Sequence, residues 1–153
     1  MPPTDPTLET VVSLYKEVHD GMREAVRGLT PQQLAWTPAP ETNSVAVLVV
    51  HTLGSEAEVF RIAHNASGSR DRDAEFLTEG ADAADLLARL DVADRLLDAA
   101  MPQVTAADLD AARPRRANPP APVRLILIQN YGHAREHLAR IQLTKQLMAA
   151  AGA

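Results

Sequence analysis

Apolar residues recur every three to four positions over four long stretches of the chain, the spacing that gathers them on one face of an α-helix. The first stretch runs from about Pro6 to Arg27, with Leu8, Val11, Val12, Tyr15, Val18, Met22 and Val26 in phase, Gly28 to end it and Leu29 beyond. The second opens at Asn43 and Ser44, both good N-cap residues, and continues through Val45, Leu48, Val49 and Thr52 to about Ala66. Its first two turns are apolar nearly all round, so this end is expected to lie deep. The third starts near Asp82, carries Leu86, Leu90, Ala93, Leu97 and Met101 on one stripe, and stops at Pro102. The fourth follows the proline-rich stretch Pro114 to Pro122 and runs from Val123 to about Met148. Its inward stripe is Val123, Ile126, Leu127, Asn130, Ala134, His137, Ile141, Thr144 and Met148, with His133 at the border.

The connections carry their own signals. Thr30-Pro31-Gln32-Gln33 after the first helix and Thr105-Ala106-Ala107-Asp108 after the third both have the residues of a capping box. The segment from Asn65 to Ala81, rich in Gly, Ser, Arg and Asp, is longer than most connections and is expected to cross over the other elements. The prediction is an all-α protein, an antiparallel four-helix bundle with a long crossover between the second and third helices, in a single domain over residues 1–153.

Composition narrows the function. Apolar residues make up 46% of the chain and aromatics only 3%, which suits closely packed helices built on Ala, Val, Leu and Ile. The formal net charge of −5, with Arg and Asp interspersed, offers no basic stripe for a phosphate backbone, so nucleic acid is not an expected partner. Val45 to Val50 and Leu125 to Ile128 are the longest apolar runs, far short of the roughly 20 residues that cross a bilayer. With no signal-peptide core between Met1 and Glu9, a cytoplasmic location is expected, and no membrane. The chain has no cysteine, which excludes disulfides and thiolate nucleophiles of its own and leaves imidazole and carboxylate as metal ligands.

His133 and His137 stand four residues apart, one turn of helix, where two imidazoles can converge on one ion. His51 sits among Val49, Val50 and Leu53. If the second and fourth helices are neighbours, the three rings meet, and three nitrogens suit zinc or nickel with a position left for water or substrate. Taken alone, a buried histidine is more often a satisfied core residue, and His51 is the weaker of the three on this ground. His19, one turn beyond Tyr15, borders the first stripe and is a candidate for contact with the same cavity, with ordinary packing as the simpler reading. Glu58, two turns from His51, is a candidate to orient a ligand or take protons, with an ion pair to an arginine as the simpler reading. His64 is rotated away from the His51 face and is expected at the surface.

His133-Ala134-Arg135-Glu136-His137 also matches the H-x-x-E-H string of inverted zinc metalloproteases. That reading is set aside, because sixteen residues after His137 leave no room for the distal carboxylate such a site needs.

Several strings together resemble the DinB/YfiT-like superfamily over nearly the whole chain. They are Leu34-Ala35-Trp36-Thr37-Pro38, Asn43-Ser44-Val45-Ala46 leading to His51, Arg70 to Phe76 before Leu86 to Leu90, and His133 to Leu147. The resemblance implies a metal-binding four-helix bundle, often a homodimer, with one ligand on the second helix and two on the fourth, which fall here on His51, His133 and His137. Ala139 departs from the Gly that many members carry after the His-Leu pair, which touches packing and not the ligands. It further implies a metal-dependent low-molecular-weight-thiol S-transferase, in which the thiol cosubstrate brings the sulfur and arginines such as Arg61 or Arg135 help bind it. A metal-dependent hydrolase acting on a small molecule, using Glu58 or His19 as proton acceptor, is the second enzymatic reading, and a non-catalytic metal-binding or interaction bundle is the third. The arginines between Pro114 and Arg124 could meet an anionic cosubstrate, with a solvated loop as the simpler reading.

Overall fold

The structure, a computed structural model, describes residues 5–153. Its long helices are α1 (Pro6–Val26), α3 (Val45–Ala63), α5 (Ala83–Ala100) and α7 (Val123–Ala150), with three short ones, α2 (Pro31–Ala35), α4 (Arg72–Phe76) and α6 (Ala106–Asp110). Each long helix packs on two others, α7 on α1 and α3, and α5 on the same pair. Among the described residues, no helix is long and apolar enough to cross a membrane.

Local chemistry explains where the helices start. Asp5, Ser44 and Asp82 each accept a backbone N–H of the first turn of the helix that follows. Thr30 with Gln33 and Thr105 with Asp108 form the expected capping boxes, and they open the short helices α2 and α6. The second long helix ends at Ala63, short of the expected Ala66. There the His64 ring, 2.6 Å from the Phe60 carbonyl, engages the helix end, and Asn65 turns into the left-handed region at φ 56°.

The inward stripe of α7 is buried from Val123 to Met148 as expected, and so is that of α5. Two groups of apolar side chains fill the interior. One is built around Val18, Met22, Leu48, Leu90 and Ile141, the other around Leu8, Tyr15, Phe60, Leu97 and Leu127. Tyr131 packs against both.

Two connections differ from the expected loops. The segment after α3 contains α4, whose Asp71 N-cap accepts the Ala74 N–H. The proline-rich stretch before α7 forms an antiparallel hairpin, β1 (Ala112–Arg115) with β2 (Asn118–Pro122), so the chain is predominantly helical with one small sheet among the described residues. Prolines 119 and 120 have no N–H to give a ladder, which a two-stranded edge tolerates. Arg113 fastens the hairpin to the end of α3, donating to the Ile62 and Ala63 carbonyls at 2.7 Å each and pairing with Asp108.

Candidate metal centre

Helices α3 and α7 lie side by side, and the three histidines meet across their interface. One ring nitrogen from each of His51, His133 and His137 lies within 4.8 Å of the other two. The ring centroids stand 5.4 Å apart for His51 and His133, 5.2 Å for His51 and His137, and 4.2 Å for His133 and His137. His51 and His137 are buried and His133 is half-buried.

The surroundings favour neutral rings. Burial, reinforced by His51 and Arg115, lowers the His133 imidazole to about 4. Burial and the two companion histidines do the same to His137, also to about 4. Burial lowers His51 as well, against the opposing pull of Glu75. Neutral imidazoles keep a lone pair, the form a divalent cation binds.

The hydrogen bonding fits an ion too. His51 Nδ1 is 3.0 Å from Glu75 Oε1, so it donates there and leaves Nε2 as the free lone pair. Nε2 of His133 and of His137 face each other at 2.8 Å, and Nδ1 of both rings is buried with no partner among the described residues. Apart from the one bond to Glu75, these rings have little but one another to bind. A shared cation would take the lone pairs of the two facing Nε2 atoms and of His51 Nε2, with the proton of each α7 ring on its Nδ1.

Glu75, on α4, has no counterpart among the residues singled out from the sequence. Its carboxylate takes a fork from Arg70, Nε to Oε2 at 2.8 Å and Nη2 to Oε1 at 2.7 Å, while Arg70 also donates to the His51 carbonyl at 3.3 Å. Gly54, three residues after His51, makes the room: a Cβ there would overlap the Glu75 carboxylate. A glycine inside an apolar helix was the available signal of a close approach. Phe76 lies against the other side of His51, with ring centroids 4.6 Å apart.

A cleft of about 170 Å³ opens beside two of the three histidines. It is lined by His51, His133, Ser55, Gln129, Arg72, Arg115 and Arg116. Ser55 joins it to the core, accepting from Arg115 and from Asn130 Nδ2, both at 2.8 Å, while Asn130 Oδ1 accepts from the Tyr15 hydroxyl at 2.8 Å.

The other sequence candidates stand elsewhere. His19 is fully buried in a separate cluster, 2.6 Å from both Glu56 Oε2 and Asp94 Oδ1, and does not face the three histidines' cleft. Burial pulls its imidazole down, but the two carboxylates outweigh this and raise it. Glu58 is held by Arg115 at 2.9 Å, Arg70 at 3.3 Å and Arg116 at 3.4 Å, so the arginine ion pair is the role it has. Burial pushes its carboxyl up, and the three guanidiniums more than reverse that. Arg61 donates to the Ser69 carbonyl and packs on Gly68, and Arg135 is exposed on α7; neither lines the cleft. His64 is half-buried at the end of α3 instead of lying free on the surface.

Residues 14–141 match the DinB superfamily, and the chain belongs to that family. Among solved structures, it is similar to a conserved protein of Enterococcus faecalis, with a TM-score of 0.77 at 15% identity, covering 93% of this chain and 96% of that one. It is also similar to a DinB-like protein of Bacillus subtilis, with a TM-score of 0.71 at 18% identity and 92% of each chain covered. No curated protein matches the sequence.

Proposed function

We propose that His51, His133 and His137 bind one divalent cation, zinc or nickel, and that the protein is a metal-dependent enzyme acting on a low-molecular-weight thiol. The observation that carries this reading is the convergence of three neutral imidazoles beside a cleft that reaches two of them, the arrangement of a site with an open position. A divalent ion held there would supply Lewis acidity that lowers the pKa of a bound thiol. The protein's own part is orientation: Glu75 holds His51 in one tautomer, Arg70 holds Glu75, and Phe76 keeps the ring from turning.

Hydrolysis by a metal-bound water fits less well. It needs a proton acceptor within reach, and Glu58 is committed to three arginines while His19 sits in its own buried cluster. A non-catalytic metal-binding role would leave the open cleft without a purpose.

The finer architecture belongs to the same proposal: one antiparallel four-helix bundle over residues 1–153, with residues 65–81 as the crossover. The pairing of each long helix with two others supports it. Homodimerisation and a cytoplasmic location follow from the resemblance and the composition, and sedimentation velocity and cell fractionation test them.

The chemical reading is tested on protein purified without a histidine tag, incubated with zinc or nickel, desalted and assayed by elemental analysis. One equivalent of metal is expected in the wild type and far less in His137→Ala. A metal-free wild type would defeat the proposal. Calorimetric titration of the loaded protein with small thiols then separates a transferase from a hydrolase, since binding of no thiol removes the transferase reading.

A further inference from the structure

The cleft beside His51 and His133 has a one-sided charge. No carboxylate lines it, whereas Arg72, Arg115 and Arg116 do, with the Gln129 amide as a further donor. Behind the lining, Glu58 and Glu75 face Arg70, Arg115 and Arg116, and Glu136 acts on His133, so with Arg72 four guanidiniums stand against three carboxylates. The excess is positive, and a cation on the histidines would add to it.

Arg72 is free to serve a ligand, and Arg116 is only loosely held. Arg72 has no ion-pair partner among the described residues; its guanidinium rests on the Phe76 ring, 4.9 Å from the centroid, and that ring in turn rests on His51. Arg116 occupies the tight turn of the hairpin with φ 57°, a left-handed conformation usually given to Gly or Asn, and keeps only a long 3.4 Å contact to Glu58. Arg115, by contrast, is anchored on Glu58 and Ser55 and frames the floor.

We propose that this cleft binds the acidic group, carboxylate or phosphate, of a small thiol whose sulfur reaches the metal, with Arg72 and Arg116 as the residues that select for the charge. This rests on the reading of the histidines as the metal centre of a thiol-binding protein. The cleft volume of about 170 Å³ is below the roughly 300–1,000 Å³ of pockets that enclose drug-sized ligands, so it suits one charged end of a ligand. Guanidinium forks match the planar carboxylate and the phosphate oxygens alike, which is why the two acids share one recognition chemistry.

The test compares two thiols of matched length, 3-mercaptopropionate and the neutral 3-mercapto-1-propanol, by calorimetric titration of the zinc-loaded protein at low salt. The charged thiol is expected to bind at least tenfold more tightly. The double variant Arg72→Gln/Arg116→Gln, whose changes fall on exposed side chains, is expected to erase that preference, weakening the charged thiol at least tenfold more than the neutral one. Equal binding of the two thiols by the wild type, or a preference that survives in the variant, overturns the proposal. A second arm uses metal-free protein and inorganic phosphate. If no thiol binds the loaded protein, phosphate binding that the double variant loses upholds the anion subsite and removes only the thiol reading. In that case, failure of phosphate to bind the wild type overturns the subsite as well.

Discussion

At the scale of single residues, the centre depends on contacts one step behind the histidines. Glu75 fills space that only a glycine at position 54 leaves open, and its carboxylate is fixed by Arg70 and His51, so it cannot swing aside cheaply. Gly54→Ala gains about 1 kcal/mol of helix propensity but must push the buried Glu75 carboxylate off Arg70 and His51, so the fold is expected to be no more stable than the wild type. It should weaken metal binding by about 10–100-fold, the usual cost of losing the partner of a ligating histidine. A competition titration against a chromophoric chelator measures the affinity, and unchanged affinity would show that Glu75 does not orient His51. His19 makes a different prediction. Both of its ring nitrogens are bonded to carboxylates, so His19→Ala leaves Glu56 and Asp94 without their shared cation and should cost about 3–5 kcal/mol. The pH dependence follows from the directions of the shifts. The raised His19 pKa gives stability that is fully present below about 6.5 and is lost as pH rises through the folded value. Burial raises Glu56, which also favours the protonated, low-pH side; Asp94 is pushed up by partial burial but held below its ordinary value by His19 and Arg23, so its contribution is lost only in acid. Urea unfolding of metal-free protein at pH 6 and pH 8 should show the wild type losing more stability than His19→Gln over that interval. Equal losses would mean that His19 does not titrate there.

At the scale of elements, the hairpin β1–β2 places Arg115 and Arg116 at the cleft, and Arg113 is what holds the hairpin to α3. Its guanidinium donates to two carbonyls at the end of α3, of which that of Ile62 also accepts from the Asn65 N–H. Arg113→Ala is expected to cost about 1.5–3 kcal/mol, the range for hydrogen bonds to a charged group, read by urea unfolding. It should also reduce the preference for 3-mercaptopropionate without touching the cleft; a preference that stays intact would mean that the hairpin keeps its place without Arg113. The same elements show what a sequence can and cannot reveal. The four long helices are legible because their stripes persist over several turns; three of them begin at Asp or Ser caps, while α7 follows Pro122 without a side-chain cap. The His133 and His137 pair is legible because its geometry is set within one helix. The hairpin is not, since the four residues of β1 are too few to show a strand period and β2 is mostly proline and exposed. Nor is α4, whose five residues are too few for a helical period. The partnership of His51 with Glu75 depends on where α4 folds back on α3, and the choice of Arg72 and Arg116 over Arg61 and Arg135 depends on the same tertiary placement.

At the scale of the whole molecule, a cation on the three histidines would tie α3 to α7, two of the elements that line the cleft, and so couple metal binding to unfolding. An ion that binds the folded chain and not the unfolded one adds about 2.7 kcal/mol at a free concentration of 100 times its dissociation constant. For a chain of this length each kcal/mol moves the melting temperature by roughly 2–4 °C, so zinc should raise it by roughly 5–11 °C. The gain should grow by a further 1.4 kcal/mol or so for each tenfold rise in free metal, which distinguishes binding at one site from nonspecific salt effects. Differential scanning calorimetry over a zinc series reads both quantities. His137→Ala should flatten the series, because two imidazoles remain and the link from α7 is halved, while Arg72→Gln, which leaves the ligands in place, should keep the slope of the wild type. A wild-type melting temperature that ignores zinc would mean that the three rings meet only to pack.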